Sequence, residues 1–292
     1  MPAQPETTTL STPDGTKITV YTWPAAGPRG VLQITHGMGE HALRYAELAA
    51  VLVASGWTVV AQDHRGHGAS ADSEDVLGQI GTAGWAALVS DIAVVREHAV
   101  AQAGRVPFVL FGHSMGSFAV QQYLPANSAP LDGVVLTGTA ALDLLEPALD
   151  LDAPLDLAMF NAPFAPARTD FDWLSRDPEQ VDLYINDPWC GFGLDPDGVG
   201  SLKDAAARTA DPEALGQIRD GFPLYVLAGS ADPINIGLQW LEILVDRYRD
   251  HGLEVTAKYY DEGRHEMFNE TNRAEVFADL IAWLDGVPAL KL

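Results

Sequence analysis

The sequence predicts an α/β protein: eight strands in a mostly parallel sheet, helices on both faces, and one inserted helical segment. Three observations lead there. Short β-rich runs alternate with apolar stretches at helical spacing, the pattern of a parallel sheet covered on both sides. The alternation breaks at about residue 140 and resumes at Phe222, which divides the chain into a core, 1–139 with 222–292, and an insertion, 140–221. Between them lies the strand-like run Phe108-Val109-Leu110-Phe111. It passes through Gly112-His113-Ser114-Met115-Gly116 directly into a helical pattern. A strand, G-x-S-x-G and a helix in that order make a sharp turn that holds a serine out above a sheet edge.

The elements follow in order. Residues 7–12 and 17–23 are β-rich around the turn Pro13-Asp14-Gly15 and form an opening hairpin. Val31–Ile34 is the next strand and ends in Thr35-His36-Gly37-Met38-Gly39-Glu40-His41. Tyr45, Leu48 and Leu52 mark a helix that Gly56 closes. Trp57–Ala61 is a buried strand running into Asp63-His64-Arg65-Gly66-His67-Gly68. Trp85, Leu88, Val89, Ile92 and Val95 share one helix face, stopped by Gly104. After the 108–111 strand comes a helix that Pro125 is expected to end, then the strand Gly133–Leu136. The insertion, rich in Asp, Pro and Leu, is expected to fold as several short helices. Phe222–Ala228 restores the rhythm, followed by a helix near 238–249 and the strand Val255–Tyr260. A closing helix starts at Asn272, where Glu275 can complete a cap, and Gly286 ends it.

Composition narrows the function classes. A chain of 292 residues with 47% hydrophobic and 20% charged residues can bury a substantial core. Its 17 basic against 40 acidic residues give a formal charge of −23, which disfavours nucleic acid and anionic lipid as partners. One cysteine, Cys190, permits no intrachain disulfide. The first residues lack a basic and an apolar region, and no run approaches the ~20 apolar residues of a membrane span, so a cytoplasmic protein without stable membrane insertion is expected. There is no H-E-x-x-H, Cys/His cluster, G-x-G-x-x-G or P-loop, so neither metal nor cofactor is expected.

The serine junction sets the chemistry. A serine hydroxyl needs a base, and the base an orienting carboxylate. Catalytic groups of a doubly wound sheet gather at the carboxyl ends of strands. Two such ends follow Ser114: Asp232 after the 222–228 strand and His265 after the 255–260 strand, in the order Ser, acid, His. Asp63 is the competing acid, in a loop whose charges are expected to hold one another. His113 is expected to pack away from the serine, and His251 to cap a helix. An acyl carbonyl under attack needs two fixed N–H donors. The Met115 amide, next to the serine, and the Met38 amide, in the Gly-rich 36–39 loop, are the candidates.

HGMGEH at 36–41, DHRGHGAS at 63–70, GHSMGS at 112–117, GSADP at 229–233 and GRHEMFNE at 263–270 together resemble the monoacylglycerol lipase and lysophospholipase branch of the α/β-hydrolases, the serine aminopeptidase-like group. The resemblance spans nearly the whole chain outside 140–220. It implies the α/β-hydrolase fold, a triad of Ser114, Asp232 and His265, the Met38 and Met115 amides as oxyanion hole, and residues 140–220 as a cap. Glu40 and Arg44 match positions lining the leaving-group side of monoglyceride lipases. They equally fit an i,i+4 ion pair, so both readings stay open. Ser117 replaces the last glycine of the elbow pattern. Phe268 stands where mammalian monoglyceride lipases carry a second histidine and is expected to make the alcohol side of the site apolar.

The resulting expectation is a serine carboxylic-ester hydrolase acting on a small-molecule lipophilic ester: a monoacylglycerol, a lysophospholipid or a short- to medium-chain ester. An aminopeptidase, an acyltransferase or thioesterase, and a non-catalytic ligand-binding protein of the same fold are the alternatives.

Overall fold

The computed structural model describes residues 4–148 and 156–287. Its eight strands are β1 (Glu6–Ser11), β2 (Lys17–Trp23), β3 (Gly30–Thr35), β4 (Trp57–Gln62), β5 (Phe108–His113), β6 (Gly133–Thr137), β7 (Pro223–Gly229) and β8 (Glu254–Tyr260), in one sheet ordered β1-β2-β4-β3-β5-β6-β7-β8. β1 and β2 form the expected hairpin, and β2 pairs antiparallel with β4. Every pair from β4 through β3 and β5 to β8 is parallel. The main helices are α1 (Ala46–Ala54), α2 (Gly84–Ala103), α3 (Met115–Asn127), α4 (Leu142–Leu145), α5 (Pro178–Ile185), α6 (Pro196–Ala206), α7 (Pro212–Leu215), α8 (Gln239–Asp250) and α9 (Arg273–Gly286). No helix among the described residues is long and apolar enough to cross a membrane.

Strand periodicity divides the core. Leu110, Val134 and Leu136 face one side with Leu88 and Ile92 of α2, Val120 and Leu124 of α3 and Leu241 and Leu244 of α8. Val109, Phe111 and Val135 face the other with Leu48 and Leu52 of α1 and Val276, Leu280 and Leu284 of α9. Successive side chains of a strand point to opposite faces, so continuous apolar strands demand helices on both.

Two boundary expectations change. Pro125 lies inside α3, which runs on to Asn127. A proline there removes one late hydrogen bond, and Asn127 Nδ2 reaches back to the Tyr123 carbonyl at 2.8 Å. Asn272 does begin α9, but its side chain caps no backbone N–H. Its amide donates to Glu275 Oε2 at 3.1 Å, and its oxygen accepts from Arg176 at 3.2 Å. His251 does satisfy a helix end, its Nδ1 lying 2.8 Å from the Arg247 carbonyl in the last turn of α8.

Between β6 and β7 the described residues form only short helices and turns, with α4, α5, α6 and α7 among them. Residues 149–155 of the inserted region lie outside the described residues. α5, α6 and α7 each begin at a proline preceded by an aspartate, Asp177, Asp195 or Asp211, whose carboxylate accepts an N–H of the first turn. Three Asp-Pro starts in sequence explain why this stretch shows punctuation rather than strand periodicity.

Candidate active site

The turn between β5 and α3 holds Ser114 at φ 51°, ψ −123°, a left-handed conformation costly for a residue with a Cβ. Neighbouring contacts enforce it. Ser114 N–H donates to the Thr137 carbonyl at 3.0 Å, and the Ser114 carbonyl accepts from Ser117 N–H at 2.8 Å and Ser117 Oγ at 2.6 Å. Serine at 117 therefore contributes a hydrogen bond that a glycine there could not. Strand and helix approach closely enough that a Cβ on Gly112 would lie 2.7 Å from Ser117 Cα, and one on Gly116 would lie 2.2 Å from the Thr35 carbonyl. Ser114 itself remains half-buried while residues 111–113 and 115–120 are buried.

Asp232 and His265 meet from the ends of β7 and β8. Both Asp232 carboxylate oxygens lie 3.0 Å from His265 Nδ1, and Oδ1 also accepts the Ile234 N–H at 3.0 Å. The carboxylate fixes Nδ1 as the protonated nitrogen and leaves Nε2 as a bare acceptor, buried and without a partner among the described residues. The imidazole lies between the rings of Trp173 and His113, each centroid 4.8 Å away. Gly138, at φ 55°, passes beneath it, and a Cβ there would come within 2.8 Å of His265 Cε1. Burial opposes protonation of His265, but Asp232, by charge and hydrogen bond, and then Glu266 and Glu40 outweigh it and hold the imidazole above its ordinary value. His113 differs from expectation, since it packs against His265 and not away from the site. Burial and the neighbouring His265 push it down to about 3, which leaves it a neutral spacer.

The 36–41 loop is held from both ends. His64 N–H donates to His36 Nε2 at 3.0 Å, while His36 Nδ1 lies 2.7 Å from the Gly37 carbonyl. Gly37 N–H donates to Glu40 Oε1 at 2.6 Å, and Tyr45 OH donates to the same oxygen at 2.8 Å. Gly39, at φ 64°, lies under the inserted segment, where a Cβ would stand 2.3 Å from the Phe192 carbonyl; Gly191 N–H donates to the Gly39 carbonyl at 3.0 Å. His41, Asp187 and Cys190 are, among the described residues, one group of three possible metal ligands within 4.8 Å of one another. His41 Nε2 and Asp187 already hydrogen-bond at 2.9 Å, and burial pushes the Cys190 thiol up, which opposes a metal-binding thiolate. The contact reads as a loop-to-insertion clasp.

Three sequence expectations need correction. Asp63 accepts from Ala42 N–H and Ala69 N–H at 2.8 Å each and from Tyr21 OH at 3.2 Å, a buried anchor for two loops. Its loop's charges do not hold one another, because Arg65 pairs with Asp91 and Asp14. Arg44 does pair with Glu40 at 2.6 Å, but it also grips Glu266 through two hydrogen bonds of 2.6 and 2.7 Å and lies over the Tyr184 ring. Its guanidinium is buried behind the cavity wall rather than on it. Phe268 is no wall residue either: its ring packs on Phe111 and Phe277 in the core. Phe268→His is therefore expected to cost stability, roughly 1–3 kcal/mol for burying an imidazole among rings. Selectivity between a glycerol and an alkyl ester should stay unchanged, as urea unfolding and kcat/KM would show.

Ser114, His265, Met38, Met115 and Glu40 all line one cavity. Leu142, Leu145, Leu157, Phe160, Val199 and Leu202 of the insertion make much of its remaining wall, with Phe118, Trp173 and Ile234. Met115 is the first residue of α3, so its N–H belongs to the unpaired first turn of a helix aimed at the serine. Sequence reasoning missed Glu266, Glu146 and Gly138. Glu266 directly follows the candidate histidine, but nothing in its spacing indicates a partner at Arg44.

Residues 26–272 match the family described as serine aminopeptidase, S33. The chain is 32% identical over 274 residues to a monoacylglycerol lipase of Mycolicibacterium smegmatis, covering 92% of this chain and 93% of that one. It is 28% identical over 270 residues to human monoglyceride lipase, with 90% and 85% covered. Its backbone superposes on a highly thermostable carboxyl esterase from Bacillus coagulans, solved with glycerol, at a TM-score of 0.86 and 25% identity over 98% of this chain and 99% of that one. Likeness in both sequence and backbone over almost the entire length places the chain in the serine aminopeptidase (S33) family of α/β-hydrolases, within its monoacylglycerol lipase-like group, as an enzyme of the esterase/lipase type.

Proposed function

We propose that the chain hydrolyses lipophilic acyl esters, of the monoacylglycerol, lysophospholipid or short- to medium-chain kind, through an acyl-enzyme on Ser114. The observation that carries this is one constellation. A strained, half-buried serine opens into an apolar cavity that also contains His265, whose Nδ1 is fixed 3.0 Å from Asp232.

His265 Nε2 takes the Ser114 proton as Oγ attacks the acyl carbonyl. The oxygen, now anionic, is received by the Met38 and Met115 amides, each such donor being worth roughly 10²–10³-fold in rate. The carbon–oxygen bond to the alcohol then breaks, and the alcohol departs with the proton from His265. Water enters, gives its proton to His265 and attacks the acyl carbon, and Ser114 Oγ leaves reprotonated. Asp232 keeps the imidazole in the tautomer that presents a bare Nε2. Glu40, bonded to Gly37 N–H, holds the backbone beside Met38 in place. The inserted residues 140–221 act as a cap whose leucines and Phe160 take the acyl chain.

Labelling with a neutral fluorophosphonate tests the reading, with attachment expected at Ser114 and at no other serine. Absence of labelling would favour a non-catalytic ligand-binding protein. The pH profile is a further check. His265 works as a base only when neutral, and its neighbours hold it above its ordinary value. The acid limb of kcat/KM is therefore expected to rise with a midpoint above ~6.5. A midpoint below that value would contradict a base supported by Asp232.

A further inference from the structure

The inserted segment reaches His265 through Trp173. The two ring centroids lie 4.8 Å apart with their planes tilted by 41°. Backbone contacts set the indole there. His265 N–H donates to the Trp173 carbonyl at 3.3 Å, and Glu266 N–H donates to the Leu174 carbonyl at 2.8 Å. Ser175 Oγ donates to the Asn269 carbonyl at 2.9 Å, and Arg264 donates to the Asp172 and Ser175 carbonyls. Trp173 N–H in turn donates to Asn161 Oδ1 at 2.8 Å, and the indole packs on Phe160 with centroids 5.1 Å apart. Residues 172–175 of the insertion are thus stitched to the loop that carries the histidine.

Tryptophan is a costly choice for this place. Its Nε1 is buried with no acceptor among the described residues, and a leucine or phenylalanine would fill an apolar wall without burying that donor. What an indole adds is a strongly negative π face, which attracts a cation within ~6 Å of the ring centroid. The 41° tilt is not the perpendicular arrangement in which the positive rim of one ring meets the other. His265 is such a cation during the reaction, when it holds the serine proton. The charged groups around it are already committed. Asp232 holds Nδ1 from the end of β7, and Glu266 and Glu40 also favour the imidazolium. Arg44 is paired with Glu40 and Glu266, and His113, on the opposite side of the imidazole, is neutral. From the insertion, Glu146 lines the same cavity, while the Asp172 carboxylate turns to Arg168 N–H and the Thr169 hydroxyl.

We propose that Trp173 is a positioning residue for the proton transfer: its indole, carried by the insertion, stabilises the His265 imidazolium that forms when Ser114 loses its proton. The inference rests on the ester-hydrolase reading and deepens it, because the segment that walls the acyl pocket then also sets the strength of the base. An insertion lifted from the histidine loop would take the ring away and leave a weaker base.

The test keeps the shape of the ring and changes only its face. Trp173 is replaced, by nonsense suppression, with its mono-, di- and trifluoro forms, each fluorine drawing charge from the π system. The His265 Cε1–H resonance, assigned by its loss in His265→Gln, is followed by proton NMR as a function of pH in the absence of substrate. Its midpoint is expected to fall stepwise along the series, by ~0.5–1 pH unit in all, with the melting temperature unchanged. The acid limb of kcat/KM for a p-nitrophenyl ester should move down by the same amount. Trp173→Phe, with a weaker face, should fall within the series. A midpoint that stays constant while KM alone changes would make Trp173 a wall residue only and overturn the proposal. The NMR midpoint needs no turnover, so the two readings fail separately. A stepwise fall in a protein that hydrolyses no ester and labels at no serine would overturn the ester-hydrolase reading and still support the action of the ring on the imidazolium.

Discussion

Replacing Ser114 with alanine is expected to reduce ester turnover on the order of 10⁶-fold while leaving the protein folded. The hydroxyl makes no hydrogen bond to the described residues, and alanine can be held in the same φ 51° turn by the backbone bonds that hold serine. Removal of the side-chain oxygen therefore touches chemistry and not packing. What remains is the weak catalysis of binding and of the N–H donors alone. Stability to urea should change by less than ~0.5 kcal/mol, the scale of substitutions that remove no packing or hydrogen bond. Near-normal turnover by Ser114→Ala, measured on protein free of wild-type contamination, would mean that another nucleophile does the work.

Asp232→Asn is expected to cost roughly 10⁴-fold in kcat with the fold retained. The asparagine oxygen can still accept the Ile234 N–H, but the amide nitrogen then turns an N–H donor toward His265 Nδ1. The imidazole responds by placing its proton on Nε2, the nitrogen that has to receive the serine proton. Loss of the carboxylate also removes the main charge that raises His265, so residual activity should show an acid limb at lower pH than wild type. Asp63→Asn provides the contrast. Its buried carboxylate anchors the Ala42 and Ala69 N–H groups and the Tyr21 hydroxyl, so the substitution should lower the melting temperature and leave the pH profile in place. A kinetic defect in Asp63→Asn with Asp232→Asn unimpaired would reassign the acid.

The strands and most helices of the core are legible in local sequence, because strands buried on both faces are apolar throughout and the helices between them repeat every three to four residues. It also determined the elbow. Gly112 and Gly116 have no room for a Cβ, and that local constraint is written in local sequence. The pairing of Asp232 with His265, the candidate acid and base, was legible because strand ends of a parallel sheet converge at one edge, which brings the two together without any spacing rule between them.

Tertiary structure decided the rest. Arg44 fits a pair with Glu40 at i,i+4, yet its stronger grip is on Glu266, far along the chain, and no local pattern encodes that choice. Phe268 lies three residues from His265 in sequence, but the 3₁₀ turn Met267–Asn269 carries its ring into the core beside Phe111 and Phe277. The inserted segment's contact with the 36–41 loop, through Gly39, Gly191 and the His41–Asp187 pair, likewise appears only once the chain is folded. Backbone geometry is governed by neighbours in sequence. The partner of a buried charge and the face of a ring are governed by whatever the fold brings within a few ångströms.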